Sequence, residues 1–442
     1  MTTQTTNAPQ AYWQPEAECM DREELAQHQL EQLQATLSRV AQNVPFYRER
    51  FDRIGFDPDD LRSIEDLRRL PLTEKRHLQD AYPYGLLAVP LREVVRLHGT
   101  GGSGSSAIVM GYTRNDIKIW SNLTARTLVA GGVTKDDVVQ ITFDYGLLTG
   151  ALGVHYGAER LGASVIPSSS GNTKRQIKIM QDYKTTALVS TPSYAVHLAE
   201  TMRMMGVNPN ALSLKHVLVG GEPWSEETRR RIEEGLRATA TDAYAVSEVM
   251  GPGVAAECLE RNGLHLNEDH FLVEVVDSRT LEPVKPGERG ELVLTTLTKE
   301  AFPVVRFRTR DLTSLTVEPC PCGRTSVRMR RIASRTDDML IVRGVNVFPA
   351  QIEAVLRQAD GRSAPRHQIV IERRHALDEA TVLVEVSQSV FFDEVRLQAE
   401  FRETLKRRLA SELGVAFEVK LVQKNTMDGV AGRGQVVDLR GR

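Results

Sequence analysis

From residue 21 to 51, apolar positions recur at helical spacing among charges, which predicts an amphipathic helix laid over the core, with Pro45 as a breaker. From 93 to 171 and again from 185 to 246, short β-branched runs (VVRL, VVQITF, SVIP, ALVS, HVLVG) alternate with helical stretches such as 115–131 and 225–236. That alternation predicts parallel α/β layers. Beyond Leu264 the texture becomes strand-rich (FLVEVVD, GELVLTTL, DLTSLTV), with turn chemistry such as KPGERGE in between, as in an antiparallel sheet or barrel packed onto those layers. Near Arg335-Thr336-Asp337-Asp338 the strands give way to a polar turn, followed by a βα unit and a final α+β stretch. The expected organisation is a large domain over 1–336 and a small one over 337–442.

The chain has 442 residues, enough for a substantial interior. Charged residues make up 26% and the formal net charge is -2, so no global field favours nucleic acid or an anionic membrane as partner. A small-molecule ligand is the expectation. The first residues, MTTQTTNAPQ, lack the basic and apolar regions of a signal peptide, and no run is long and apolar enough to suggest a membrane span. With only four cysteines, a reducing, cytoplasmic setting is expected.

Two groups of residues suggest chemistry on their own. The segment Gly99-Thr100-Gly101-Gly102-Ser103-Gly104-Ser105-Ser106 follows a strand and can aim backbone N–H groups and hydroxyls at a polyphosphate; it also reads as a merely flexible loop. It is neither a Walker A motif nor a dinucleotide fingerprint. Cys258, His265, Cys320 and Cys322 offer thiolates and an imidazole suited to a closed tetrahedral zinc site, which would staple irregular strands and take no part in catalysis. Their spacing is C-x6-H and C-x-C, and the same residues also read as separate buried thiols and a surface histidine. Cys19 stands outside the set.

Several long segments carry a resemblance: YGLLTG, GVHYGAERLGA, STPSYAVHLAE, GGEPWSEE, DAYAVSEVMGPGVAAEC, GLHLNEDHFLVEVVD, PGERGELVLTTLTKEAFPVVRFRTRDL, PCPCGRT and TDDMLIVRGVNVFPAQIE. Through them the chain resembles the phenylacetate-coenzyme A ligases, of the adenylate-forming superfamily, from about Tyr12 to the C-terminus. The resemblance implies a large N-terminal domain of α/β layers plus a β-barrel that binds ATP and a carboxylic acid, with a small mobile α+β C-terminal domain. Carboxylate would attack the α-phosphate, giving an acyl-adenylate and pyrophosphate; coenzyme A would then displace AMP. Within that pattern Tyr244 would stack on adenine, Ser247 would meet phosphate and Glu248 would hold Mg²⁺, with Ala245 replacing a glycine. Gly220-Gly221-Glu222-Pro223 would line the adenine site through backbone groups, and Thr100, Gly102 and Ser103 would face the phosphates. Asp311 would accept the ribose hydroxyls, or simply cap a turn. Arg335 would grip ribose or phosphate before the hinge at Asp337 or Asp338, a pair that also reads as an ordinary strand end. Tyr145, Gly146 and Thr149 would form one wall of an aryl pocket, although Tyr145 equally suits core packing.

The pattern departs at two places. Where the family's loop carries a lysine this chain has Ser106, and where its C-terminal motif carries the lysine that bridges carboxylate and α-phosphate this chain has Arg433. Ser106 keeps a hydrogen bond without charge; Arg433 keeps charge without the compact geometry of an ammonium. The leading expectation is ATP-dependent activation of an aromatic carboxylic acid, with transfer to coenzyme A or another acceptor, in aromatic or secondary (antibiotic) metabolism. The alternatives are a catalytically silent homologue that binds an aromatic ligand or nucleotide, and an ATP-independent acyl transferase. A homodimer is also expected.

Overall fold

A computed structural model describes residues 12–100, 107–332, 334–337, 339–360, 365–374, 377–386, 395–423 and 435–440. The chain divides after Thr336 into two compact units. The expected entry helix is two helices, Arg22–Asn43 and Pro45–Ile54, because Pro45 lacks an N–H to continue the first but suits the opening of the second.

The larger unit is built on a nine-stranded sheet. Ser164–Ile166, Val138–Ile141, Ala187–Ser190, His216–Gly220 and Thr239–Val246 run parallel in that order. Gly251–Glu257 then pairs antiparallel with Thr239–Val246, and Leu264–Leu266, Arg328–Met329 and Leu315–Thr316 extend the sheet antiparallel. The central strands Ala187–Ser190 and His216–Gly220 are almost uniformly buried, as two-sided burial requires. The segment expected to form an antiparallel sheet or barrel supplies a four-stranded antiparallel sheet in the order Phe271–Val276, Gly290–Thr296, Phe307–Thr313, Ser334–Arg335.

Helices Arg114–Ala130 and Gly150–Leu161 pack closely because glycines face them: a Cβ at Gly153 would lie 2.4 Å from Trp120 Cζ2, and one at Gly157 would lie 2.3 Å from Thr124 Oγ1. Trp120 is fully buried, stacked on Tyr112 at 4.9 Å, and donates its indole N–H to the Pro252 carbonyl at 2.9 Å. The first of these helices opens on a capping box formed by Thr113 and Asp116. Asp116 also accepts the Glu300 amide at 2.7 Å and the Ala301 amide at 3.0 Å, tying the helix to the turn beyond Gly290–Thr296.

The smaller unit opens on the hairpin Leu340–Val342 and Val345–Val347, one strand more than the expected βα unit, and continues into helix Pro349–Asp360. Its sheet pairs His367–Arg374 antiparallel with Leu377–Val386 and carries Glu418–Gln423 and Gln435–Asp438 on its two edges. Ile369, Val382, Leu405 and Leu409 form its core. Among the described residues, no helix is long and apolar enough to cross a membrane.

Lys299 is an unusual core group, 1% exposed, with its ammonium 3.0 Å from the Tyr112 ring centroid and 4.0 Å from Asp116 Oδ2. Burial lowers its pKa from 10.5 to about 7, against the opposing pull of Asp116. The folded protein therefore releases this proton near neutrality, whereas the unfolded chain keeps it up to about pH 10.4. Between those limits the unfolded state binds more protons, so stability rises with pH. Lys299→Met lacks this dependence. Its stability relative to the parent protein is expected to fall by about 4 kcal/mol between about pH 6 and pH 10. Urea unfolding of both proteins across that range is the check, and a gap independent of pH would contradict it.

Candidate active site and metal centre

Segments expected to bind ligand follow the carboxyl ends of the parallel strands, where open α/β sheets place their ligands. Tyr145, Gly146 and Thr149 follow Val138–Ile141, Gly221, Glu222 and Pro223 follow His216–Gly220, and Ser247 and Glu248 follow Thr239–Val246. The first and last of these loops are joined: Thr149 Oγ1 and Ser247 Oγ lie 2.9 Å apart. Gly251 lies against Thr149 at φ +107°, where a Cβ would stand 2.9 Å from both Thr149 Cβ and Trp120 Cζ2. A side chain there would push the two loops apart.

Tyr145 donates to or accepts from His155 Nδ1 at 3.2 Å, His155 Nε2 lies 3.2 Å from Glu159, and burial pushes the Tyr145 phenol up. Gly146 is exposed and Thr149 is buried. Glu222 turns its carboxylate to the helix Pro192–Met204, accepting from the Ser193 amide at 3.1 Å and the Ser193 hydroxyl at 2.9 Å. Of that turn, the backbone around Gly221 and Pro223 is what remains exposed.

Tyr244 is brought to Asp311 across two sheets. Its hydroxyl donates to Asp311, whose other oxygen accepts from Arg335, the residue directly opposite on the neighbouring strand. Burial and the Asp311 charge raise the Tyr244 phenol well above its ordinary value, so it acts as a donor throughout the physiological range. Arg310, at φ +67°, kinks the strand just before Asp311, and Thr336 N–H donates to the Arg310 carbonyl at 2.8 Å. Asp337 opens the smaller unit.

One contact was not expected from the sequence. Lys75 Nζ lies 3.2 Å from Glu248 Oε1. Its segment is held by a single parallel β-bridge between Thr73 and Phe307: Thr73 N–H donates to the Arg306 carbonyl at 2.8 Å, Arg308 N–H donates back to Thr73 at 2.9 Å, and Glu74 pairs with Arg308 and Arg310 at 3.6 and 3.5 Å. Nothing local in PLTEKRH distinguishes Lys75 from a surface lysine.

Thr100 ends the first strand of the hairpin Arg96–Gly99 and Val109–Tyr112; it donates its N–H to the Ile108 carbonyl at 3.0 Å and accepts the Ile108 amide at 3.1 Å. Gly102, Ser103, Ser106, Asp338 and Arg433 lie outside the described residues. The base of the loop is tied to the Tyr145 segment, since the Gly99 amide donates to the Leu147 carbonyl at 3.0 Å and His98 Nδ1 meets the same oxygen at 2.9 Å.

Cys258, His265, Cys320 and Cys322 converge, with their ligand atoms all within 4.8 Å of one another. Tetrahedral zinc with sulfur at about 2.3 Å and nitrogen at about 2.0–2.1 Å requires ligand separations of about 3.5–3.8 Å. Cys258 Sγ to Cys320 Sγ is 3.8 Å and Cys322 Sγ to His265 Nε2 is 3.4 Å, so these two pairs have about the separations of neighbouring tetrahedral ligands. His265 Nδ1 meets Ser326 Oγ at 3.1 Å, a contact that would orient the ring as a ligand.

Residues 110–297 match the family model described as AMP-binding enzyme, and residues 344–440 match the AMP-binding enzyme C-terminal domain. The chain is 48% identical to a phenylacetate-coenzyme A ligase of Thermus thermophilus, over 93% of this chain and 95% of that protein. It belongs to the phenylacetate-coenzyme A ligase family. A relative of the same description from Escherichia coli is 44% identical over 95% of both chains. A crystal structure of 2-hydroxyisobutyryl-CoA ligase, in complex with 2-HIB-AMP and CoA, matches with a TM-score of 0.92 at 33% identity, covering 98% of this chain and 93% of that one. The family's adenylate-forming fold is therefore the fold of this chain.

Proposed function

We propose that this member of the family is an acyl-CoA ligase that activates a carboxylic acid with ATP as its adenylate and hands the acyl group to coenzyme A. An aryl acid is the first candidate, because relatives at 42–48% identity are phenylacetate-coenzyme A ligases. The observation that carries the reading is the pairing of Lys75 with Glu248 at the strand ends, beside Thr149 and Ser247 and on the same unit as the Asp311–Arg335 pair. In the first step a carboxylate oxygen bonds to the α-phosphorus, the bond to the β-phosphate oxygen breaks, and pyrophosphate leaves with the electron pair. In the second, the coenzyme A sulfur bonds to the acyl carbon and AMP leaves.

Residues 1–336 hold nucleotide and acid in this reading, and residues 337–442 form the small domain, with Asp337 and Asp338 as its hinge. Asp311 and Arg335 take the ribose, Tyr244 and the backbone of 221–223 take adenine, and Thr100, Gly102, Ser103 and Ser247 take phosphates. Tyr145, Gly146 and Thr149 flank the acid. Glu248 would hold Mg²⁺, which needs hard oxygen ligands and neutralises the outer phosphates when bound. Lys75 delivers a positive charge beside that carboxylate. Charge on the phosphate oxygens grows in the transition state, so a fixed cation there lowers the barrier more than it tightens the ground state.

Acid-dependent exchange of pyrophosphate into ATP, screened over aryl acids and short hydroxy acids, is the test. Exchange with at least one aryl acid is expected, and Lys75→Ala is expected to lower it by about 10²–10³. No exchange with any acid would refute the ligase. Arg433→Lys is expected to raise exchange, by up to roughly tenfold to a hundredfold if it restores one charge-assisted contact of about 1.5–3 kcal/mol.

We further propose that Cys258, His265, Cys320 and Cys322 hold a structural zinc ion that staples the loop 317–327 to the sheet. About one equivalent of zinc per chain is expected by elemental analysis of protein purified without added metal, with a chelator lowering the unfolding temperature by several degrees. Metal-free protein whose unfolding ignores chelator would remove the idea.

A further inference from the structure

Trp224 follows the exposed turn at 221–223, and two guanidinium groups lie over its ring. Arg229 Cζ lies 4.8 Å from its ring centroid and Arg331 Cζ lies 4.4 Å away. Both arginines are anchored: Arg229 forks onto Glu257 at 2.9 and 2.7 Å and meets Glu226 at 3.2 Å. Arg331 meets Glu226 at 2.8 Å, Glu257 at 3.2 Å and Asp242 at 3.4 Å. Burial, reinforced by the Glu257 charge, pushes Asp242 up to about 8, and burial raises Glu257 as well. The cluster ties both arginines through ion pairs of 2.7–3.4 Å, next to a turn that Glu222 pins to Ser193.

Arg331 also stands four residues before Arg335, which grips Asp311. One short segment therefore touches both the turn, through Trp224, and the carboxylate proposed to take ribose. We propose that Arg331 and Trp224 are positioning residues for nucleotide binding, fixing the turn at 221–223 at the distance from Asp311 that an adenosine needs. This inference rests on the nucleotide site proposed above. A planar guanidinium stacks on indole as an ammonium does not, so the arrangement calls for arginine at 331.

The experiment uses the full chain, with AMP affinity measured by calorimetry and KM values from pyrophosphate exchange. Trp224→Ala is expected to weaken AMP binding and raise the KM for ATP, each about tenfold, with the KM for acid nearly unchanged. Trp224→Phe should recover most of that loss. Arg331→Lys keeps the charge facing Asp242, Glu226 and Glu257 but loses the stack, and is expected to lose AMP affinity by a smaller factor, about threefold. Should Trp224→Ala fail to fold, the Arg331→Lys result decides alone. Unchanged AMP affinity in the folded variants, or equal losses for AMP and acid, would overturn the inference while leaving the ligase intact. A parent protein that binds AMP yet exchanges with no acid would overturn the ligase and leave the positioning role to be read from the AMP affinities. A parent protein that exchanges with an acid yet binds no AMP overturns the positioning role alone.

Discussion

Asp116 is fully buried, and its carboxylate accepts the backbone amides of Thr113, Glu300 and Ala301. A buried carboxylate is tolerable only when its lone pairs are met, and here the donors come from a helix start and from a turn that are distant in sequence. The helix Arg114–Ala130 therefore cannot shift against the antiparallel sheet without stranding a charge in the core. Tyr112 and Trp120 hang from that helix and its entrance. Their hydrogen bonds to the carbonyls of Met250 and Pro252 fix the chain immediately after Glu248.

That fixed point lets residues from separate sheets act together. Glu248 and Ser247 leave the large sheet at the strand where it changes from parallel to antiparallel pairing, and Asp311 belongs to the smaller sheet. Tyr244 spans the gap with one hydrogen bond. The Thr73 to Lys75 segment spans it a second time, anchored on the Asp311 strand at one end and paired with Glu248 at the other. Positioning of this kind suits chemistry at phosphorus, where the protein mainly orients groups and neutralises charge.

Much of this architecture is legible in the chain. The runs ALVS and HVLVG are strands over the same residues as written, because an uninterrupted apolar run of that length between helical patterns has little choice but a two-sided buried strand. Motifs spanning GGEPWSEE and AYAVSE fall at strand ends because the turn residues follow the β-branched run directly. Pro45 was legible as a breaker but not as the first residue of a second helix, since the same missing N–H permits both.

Sequence by itself determined the family, the alternation of layers and a boundary where the chain divides after Thr336, because each depends on local order along the chain. It also named Cys258, His265, Cys320 and Cys322 as a set, though not that their donor atoms lie within 4.8 Å of one another. Only the tertiary structure decided that Lys75 meets Glu248, that Glu222 turns its carboxylate to Ser193, and that Arg331 and Arg229 both lie over the Trp224 ring. Those contacts join elements far apart in the chain, and a side chain's partner across such a distance is set by how the sheets and helices pack, which no local pattern encodes.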